Sequence, residues 1–506
     1  MTDVPQVTKP DEWTPVAPVV PDSWAEASFD EVFSVISTSE KKIPQKLYLK
    51  KGKWPVIDQG ASFVGGYTDD ENTIIYVDEP LLVFGDHTRC FKFVRNDFAP
   101  GADGIKILAA SPLLLPKFYY YLYSAIKLPN RGYSRHFGFL KRCIFPIAPL
   151  NEQRRIVDKI EAMFERIDKG VENLQAARAA LGLYRQSLLK SAFEGRLTAD
   201  WRAANADKLE DPKTLLARIQ TERDARYKAA LDDWQTALEA WRNGGEEGKK
   251  PAKPKRPRDI PVSSINLGLN GWAKIPLGLM IETPSYGTSK KCDYDGGAYG
   301  VLRIPNIGAG RIDATDLKKA DFNDNEAEQY SLIEGDILTV RSNGSLSIVG
   351  KPALVTAQDT GNLFAGYLIR LRAISNSLRP QYLAHIMAEP HIRGQIEAKA
   401  KSTSGVNNIS AKELQDLNIP ICSPAEQSEI TRILDERLSA ADTMEAEIDA
   451  ALTRADALRQ SILKQAFSGK LAPQDPDDEP AAALLARIKA EREAAPKPKR
   501  KKRGAA

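Results

Sequence analysis

One thirteen-residue signature occurs twice in the 506-residue chain. Arg185-Gln186-Ser187-Leu188-Leu189-Lys190-Ser191-Ala192-Phe193-Glu194-Gly195-Arg196-Leu197 returns as Arg459-Gln460-Ser461-Ile462-Leu463-Lys464-Gln465-Ala466-Phe467-Ser468-Gly469-Lys470-Leu471, with nine identical positions at an offset of 274. The offset holds back to Glu152-Gln153 and Glu426-Gln427 without insertion. A period this long excludes a solenoid and marks a duplicated half-molecule. A second shared block follows each copy: 215–223 matches 484–492 at seven of nine positions, with the offset reduced to 269. The fold must therefore contain two related halves.

Apolar spacing makes the repeats helical. Ile156, Ile160, Phe164, Ile167, Val171, Leu174, Leu181, Tyr184 and Leu188 recur near every 3.5 residues, with charges between them. That is an amphipathic helix with coiled-coil character. Asn151 can cap its start, Gly195 can end it, and Gly170 could mark a kink. About 43 helical residues would span roughly 65 Å. Copy two repeats the pattern from Ile430 and Leu434 to Leu458 and Ile462, and Ser423-Pro424-Ala425-Glu426 reads as a capping box with Pro at the first helical position. The natural partner of each helix is the other copy; antiparallel pairing would create a pseudo-twofold axis.

Two mixed segments separate the helices and share little sequence. In 22–149, Thr73-Ile74-Ile75-Tyr76-Val77 and Leu81-Leu82-Val83-Phe84 read as strands, and the aromatic stretch 116–126 as a helix with its tyrosines in the core. In 260–422, the strand-like runs are Ile337-Leu338-Thr339-Val340 and 367–371. A Trp stands near each start (Trp24, Trp272), and each exit is similar (Phe145-Pro146-Ile147, Ile419-Pro420-Ile421). The expected organisation is a flexible N-terminus 1–21, a first head 22–149, a central helix 150–200, a helical extension and basic linker 201–259, a second head 260–422, a distal helix 423–472, and a C-terminal helix and basic tail 473–506.

Composition narrows the function class. With 42% apolar and 27% charged residues and no membrane-length apolar run, the chain reads as a soluble protein, and with no signal-peptide pattern the expected compartment is the cytoplasm. Four scattered cysteines without a Cys-x-x-Cys pair, and four histidines, give no disulfide frame and no metal site. Net charge is only +4, but 249–258 and 497–503 each hold six bases and no acid, as solvated segments or phosphate contacts would.

No catalytic constellation is found. Phosphate-loop, amino-methyltransferase and His-Glu-x-x-His signatures are absent, and Gly344 to Gly350-Lys351-Pro352 has the wrong spacing for the first of these. Glu334-Gly335-Asp336 reads as a turn into a buried strand, and His87 beside Asp86 and Arg89 lacks a nucleophile motif. Binding chemistry is better represented. Arg341, Ser342, Asn343 and Ser345 put a guanidinium, an amide and hydroxyls on one turn, side chains able to bond base edges or phosphates. Lys401, Ser402, Thr403, Asn407 and Asn408 form a similar loop, matched before the first long helix by Arg131, Tyr133, Arg135 and His136. His87, Arg89, Arg303 and Asn306 complete the DNA-contact candidates.

The pattern resembles the specificity subunit family of type I restriction–modification systems. The resemblance is carried by Pro149-Leu150-Asn151-Glu152-Gln153-Arg154-Arg155-Ile156-Val157, by 186–197 with Asp200-Trp201-Arg202, by their counterparts in 424–471, by Pro55-Val56-Ile57-Asp58-Gln59-Gly60 with Gly65-Gly66-Tyr67-Thr68, and by Leu332 to Asp336 with Arg341-Ser342-Asn343-Gly344. It implies an α+β fold: two mixed α/β target recognition domains joined by two long antiparallel coiled-coil spacer helices in a pseudo-twofold arrangement. It also implies a non-catalytic subunit that reads a bipartite sequence in double-stranded DNA and docks two methyltransferase subunits, which bind S-adenosylmethionine, and up to two restriction subunits, which use ATP and Mg2+. No cofactor, metal or membrane is expected for this chain itself. Spacer and docking residues would be Glu152, Gln153, Ile160, Leu188, Phe193, Trp201, Glu426, Gln427, Leu434, Ile462 and Phe467. Copy two departs from the pattern, because Gln474-Asp475-Pro476 replaces Asp200-Trp201-Arg202 and the extension with Trp234 and Trp241 is missing. Two other readings stand beside this one: a self-contained nuclease or methyltransferase with an unrecognised site, and a structural coiled-coil adaptor.

Overall fold

The computed structural model describes residues 13, 19–38, 41–102, 104–130, 132–248, 250–262, 268–308, 310–374, 377–403 and 405–494. The chain divides into two compact units, Met1–Ala176 with Ile448–Ala506, and Ala177–Glu447. Each unit joins one head to parts of both long helices, so the compact bodies are not the successive segments that a linear reading of the sequence suggests. Among the described residues no helix is long and apolar enough to cross a membrane.

In the first unit, strands Phe33–Ile36, Ile105–Ala110, Leu81–Gly85 and Phe91–Val94 form an antiparallel sheet in that spatial order. Gly66–Thr68, Trp54–Ile57 and Ala99–Pro100 form a second, mixed sheet. Helix Pro116–Ala125 buries Phe118, Tyr119, Leu122 and Tyr123, so the tyrosine cluster is mostly core. The apolar run 73–77 is not a strand. Asp70 accepts the Asn72 N–H and closes a 3-10 turn over Glu71–Thr73, after which only Ile75 makes an isolated bridge, to Phe98. Turn chemistry overrides the β propensity of the isoleucines.

In the second unit, a five-stranded sheet runs in the order Ser285–Tyr286, Leu368–Leu371, Ile337–Val340, Pro352–Leu354, Gly310–Arg311. The strand Ile337–Val340 is buried throughout. Gly335 before it sits at φ +90°, and Asp336 is buried against the Arg372 guanidinium at 2.6 and 2.7 Å. Glu334-Gly335-Asp336 is thus a turn into a core strand. Small sheets of Lys318–Ala320, Tyr299–Leu302 and Leu363–Phe364, and of Ser342–Asn343, Val406–Asn408 and Lys401–Thr403, complete the head.

The two heads join their helices by the same device. Ala25–Ser28 pairs antiparallel with Ile144–Ile147 in the first unit, as Ala273–Pro276 does with Asn418–Ile421 in the second. The exit strands lead into the long helices Leu150–Phe193, uninterrupted at Gly170, and Pro424–Ala466. Trp24 Nε1 donates to Glu152 at 2.9 Å, and Trp272 Nε1 donates to Glu426 at 3.1 Å. Gln153 accepts the Leu115 N–H and donates to Ala148 O, while Gln427 accepts the Arg379 N–H and donates to Cys422 O and Ser377 O. A capping box at Ser423 is only half formed. Its hydroxyl accepts the Glu426 N–H at 3.4 Å, but the Glu426 carboxylate turns instead to Trp272, Thr198 and Arg202.

Both long helices end before a left-handed glycine, Gly195 at φ +74° and Gly469 at φ +70°. The left-handed backbone favours glycine at both positions, and at Gly469 an added Cβ would also stand 2.3 Å from the Pro21 ring. The helix segments contribute to the head cores: Ile156, Ile160, Ile462 and Phe467 in the first unit, Leu188, Phe193, Ile430 and Leu434 in the second. The short repeated blocks pack equivalently, with Leu484 and Ile488 in the first core and Leu215 and Ile219 in the second.

Candidate nucleic-acid interface

In the first head, the turn after Leu81–Gly85 carries His87, Thr88 and Arg89. Gln59 Oε1 accepts the His87 N–H at 3.3 Å and Gln59 O accepts the Thr88 hydroxyl at 2.6 Å, which ties this turn to the loop after Trp54–Ile57. Lys92 secures the same loop from beneath. Its ammonium donates to Asp58 O at 2.8 Å and Ser62 O at 2.6 Å and faces the Asp58 carboxylate at 3.5 Å. Burial lowers the Lys92 pKa, and Asp58 opposes that shift. Sequence alternation hides Lys92: between Phe91 and Phe93 it reads as the outward position of a strand, whereas it shares the buried face with Val94.

The His87 ring stacks on Tyr133, with centroids 4.5 Å apart and planes 9° from parallel. Tyr133 is 80% exposed, so the pair presents a flat aromatic face backed by the Gln59 loop. Arg135 is exposed nearby in sequence. Arg89 adopts φ +63° and donates to Leu128 O at 3.3 Å, linking the turn to the segment that carries Tyr133. His136 is a correction: it is fully buried, with its N–H bonded to Asp86 and Nδ1 3.0 Å from Asp86 O, so it shapes the loop and cannot touch a duplex. Arg131 lies outside the described residues.

In the second head, two segments singled out separately in the sequence become one structure. Ser342 pairs with Asn408 and Asn343 with Asn407, and Lys401–Thr403 pairs with the other edge of Val406–Asn408. Of Lys401, Ser402 and Thr403 only the backbone is described. Arg341, exposed at the head of this ribbon, lies over the Tyr286 ring at 4.6 Å and donates to Gly366 O at 3.4 Å. Tyr367 beside it is 64% exposed. A guanidinium anchored over an aromatic ring offers a planar fork of N–H donors, a pattern that matches the O6/N7 edge of guanine.

The neighbouring polar groups are partly engaged within the loop. Asn343 Oδ1 accepts the Ser345 N–H at 2.9 Å, Asn407 Nδ2 donates to Gly344 O at 3.0 Å, Asn408 Nδ2 donates to Val406 O at 3.2 Å, and the Ser345 and Ser347 hydroxyls are 2.9 Å apart. Ser342 is buried. Arg303 and Asn306 stand apart from this group. Asn306 is buried and donates to Asp313 O and Asp316 O, and Arg303 pairs with Asp316 at 3.2 Å, so both organise their own loop.

The residues expected to serve as spacer or docking positions lie inside the chain. Glu152, Gln153, Ile160, Leu188, Phe193, Glu426, Gln427, Leu434, Ile462 and Phe467 are all buried within the chain, where they fasten helices to heads. Trp201 is half-buried, and its carbonyl accepts Asn205 Nδ2 at 2.8 Å.

A family model for the "Type I restriction modification DNA specificity domain" matches residues 21–175 and 270–454. The EcoKI specificity subunit of Escherichia coli (strain K12) is 28% identical over 358 residues, covering 69% of this chain and 64% of that protein. The StySPI specificity subunit of Salmonella potsdam is 26% identical over 357 residues, covering 69% and 63%. The match therefore spans just under two thirds of either relative's length. A chain from a solved structure described as the structural basis of complex assembly and conformational transition of the type I R-M system superposes with a TM-score of 0.57 at 18% identity, covering 89% of this chain and 99% of that one, a likeness of fold. Since the family match takes in both heads and much of both long helices, the chain belongs to the type I restriction–modification DNA specificity family.

Proposed function

We propose that this chain is the DNA-recognition subunit of a type I restriction–modification complex and is not itself catalytic. The observation that carries the reading is the second head's edge, where the ribbon 401–408 and the turn 341–345 meet beside Arg341 on Tyr286. The first head offers a different surface, His87 on Tyr133. Two dissimilar surfaces on one duplicated frame suit a target of two unlike halves.

The long helices would act as spacer. Antiparallel pairing of the two copies, with pseudo-twofold symmetry, is supported by ion pairs within each unit: Arg459 with Asp168 in the first, Arg185 with Glu445 at 2.5 Å and Asp442 at 2.8 Å in the second. The partners of such a subunit would be double-stranded DNA, two methyltransferase subunits supplying S-adenosylmethionine, and up to two restriction subunits using ATP and Mg2+, working in the cytoplasm.

The test is co-expression with the cognate methyltransferase subunit and mapping of methyladenine by long-read sequencing. The expected result is one motif with two parts and a fixed gap. Exchanging residues 260–418 should change one part only, and adding residues within a long helix should change the gap only. A motif without two parts refutes the reading. Methylation or cleavage by the purified chain alone would favour a self-contained enzyme instead.

A further inference from the structure

The segment between the first long helix and the second head lies outside both stretches of the family match. Helix Pro212–Asn243 is followed by a chain that turns at Gly244–Gly245 and runs back along it. Trp241 Nε1 donates to Gly248 O at 3.4 Å, Trp234 Nε1 to Pro251 O at 3.1 Å, and the Arg223 guanidinium to Arg258 O. Trp241, Trp234 and Arg223 lie on one stripe of the helix, and the strap meets them in reverse order. The helix covers roughly 17 Å between Arg223 and Trp234 at 1.5 Å per residue. The seven steps from Pro251 to Arg258 would cover roughly 22 Å as a polyproline-type strand. The strap is therefore extended, not helical.

Its sequence has a period of three: Pro251, Pro254 and Pro257. Three residues per turn place these prolines on one side of an extended strand. All three are half-buried, while Lys250, Lys253, Lys255 and Arg256 are exposed. Lys250 stands over Trp241 at 5.9 Å and Lys253 over Trp234 at 5.6 Å. Of the strap's bases, Arg258 alone is paired with a carboxylate among the described residues, with Asp416 at 2.6 Å. Asp416 follows the five-residue helix Ala411–Gln415, whose first N–H donates to Tyr286 Oη at 3.0 Å, and Tyr286 is the ring beneath Arg341. One end of the strap thus lies within one short helix of the surface proposed to read bases.

We propose that this strap is a rigid cationic rail that binds the phosphate backbone of duplex DNA flanking the half-site read by the second head, without regard to sequence. The proposal rests on the DNA-reading role above. Four exposed bases on a pre-extended, tryptophan-clasped strand lose little conformational freedom on meeting a regular polyanion. An acidic protein surface is the competing occupant; the rail's start beside the reading surface favours DNA.

The experiment uses the full chain in complex with its methyltransferase subunit, and binding of a fluorescent duplex bearing the mapped motif is measured across a salt series. K250Q/K253Q/K255Q/R256Q should flatten the plot of log affinity against log salt. Each lost phosphate contact removes about 0.9 from the slope, which is about 3.5-fold less weakening between about 50 and 200 mM salt. The methylated motif should stay unchanged, and K250R/K253R/K255R should keep the parental slope. An unchanged slope in the glutamine variant overturns the proposal, as does loss of methyltransferase co-purification with the slope intact, which would assign the strap to a protein partner. Failure of the DNA-reading role shows separately, as a motif that does not respond to exchange of residues 260–418.

Discussion

Replacing Glu426 and Glu152 by Gln, one at a time, tests how the duplicated joints differ. The Glu426 carboxylate is buried and accepts from Trp272 Nε1 at 3.1 Å, Thr198 Oγ1 at 2.7 Å and the Arg202 guanidinium. Arg202, with 12% of its side chain exposed, also donates to Gly195 O at 2.5 Å. E426Q keeps the shape but removes the countercharge and turns an amide N–H₂ toward a donor. Removing one partner of a buried pair costs about 3–5 kcal/mol. At about 2–4 °C per kcal/mol for a body of this size, the second unit should melt about 6–20 °C lower. Among the described residues Glu152 accepts from the neutral donors Trp24 Nε1 at 2.9 Å and Gln474 Nε2 at 3.2 Å, and burial raises its pKa against the pull of those bonds and of the Arg155 charge. E152Q keeps the bond from Trp24 Nε1 and turns its N–H₂ toward the Gln474 amide, which can rotate to accept it, so the exchange costs about 1 kcal/mol or less. Calorimetry on the full chain, with hydrogen exchange to assign each transition to its unit, gives both numbers. Adding Arg202→Met to E426Q should recover part of the loss, because it removes the orphaned charge. The pH dependence has a defined sign. A carboxyl whose folded pKa is raised binds its proton more tightly when folded, so it makes stability fall as pH rises from the usual carboxylate range through the raised value. E152Q should remove that component. An equal loss from both variants, or an E426Q loss below 1 kcal/mol, refutes the reasoning.

Three further outcomes follow from the structure. Arg341→Lys keeps the charge but loses the planar fork over Tyr286, and should relax one base position in one half of the methylated motif by about 1–3 kcal/mol of discrimination, read as the spread of methylated sites; an unaltered motif removes Arg341 from base reading. Tyr133→Ala unstacks His87 and should weaken or relax the other half of the motif only; a change in the half belonging to the second head would contradict the assignment. Glu31, held at a pKa of about 2 by the Ser28 N–H, the Lys489 ammonium and the Ser28 hydroxyl, should stabilise the first unit above pH 4.5 and lose that effect as pH falls from there towards 2; E31Q should flatten this acid limb in a pH-resolved melting series, and an unaltered limb would count against it.

Much of the frame was readable from sequence because helical periodicity and duplication are local or self-checking signals. The periodicity places helices within 150–200 and 423–472, and the structure has helices at Leu150–Phe193 and Pro424–Ala466, each shorter at its C-terminal end. Trp24, Trp272 and the two exit strands were visible as residues, but their bonds to Glu152 and Glu426 span 128 and 154 positions, beyond any local pattern. For the same reason buried spacer residues looked like docking residues: an apolar stripe says that a helix is covered, not by what. His136 and Asn306 were misplaced because a polar side chain in a loop has the same sequence signature whether it faces solvent or holds neighbouring backbone, as these two do with Asp86 and with Asp313 and Asp316. The meeting of 341–345 with 401–408 depends on strand pairing across more than fifty residues, which composition cannot encode.

The make-up of the first unit also orders its assembly during synthesis. Its core needs Ile462, Phe467, Leu484 and Ile488, whereas the second unit is one continuous stretch, 177–447. At about 5–20 residues per second, the interval between residue 176 and residue 488 lasts roughly 15–60 s. Until Phe467 is made, Phe118 lacks the ring that packs edge-on against it at 5.2 Å. The head encoded first can therefore complete its core only after the second unit has been made.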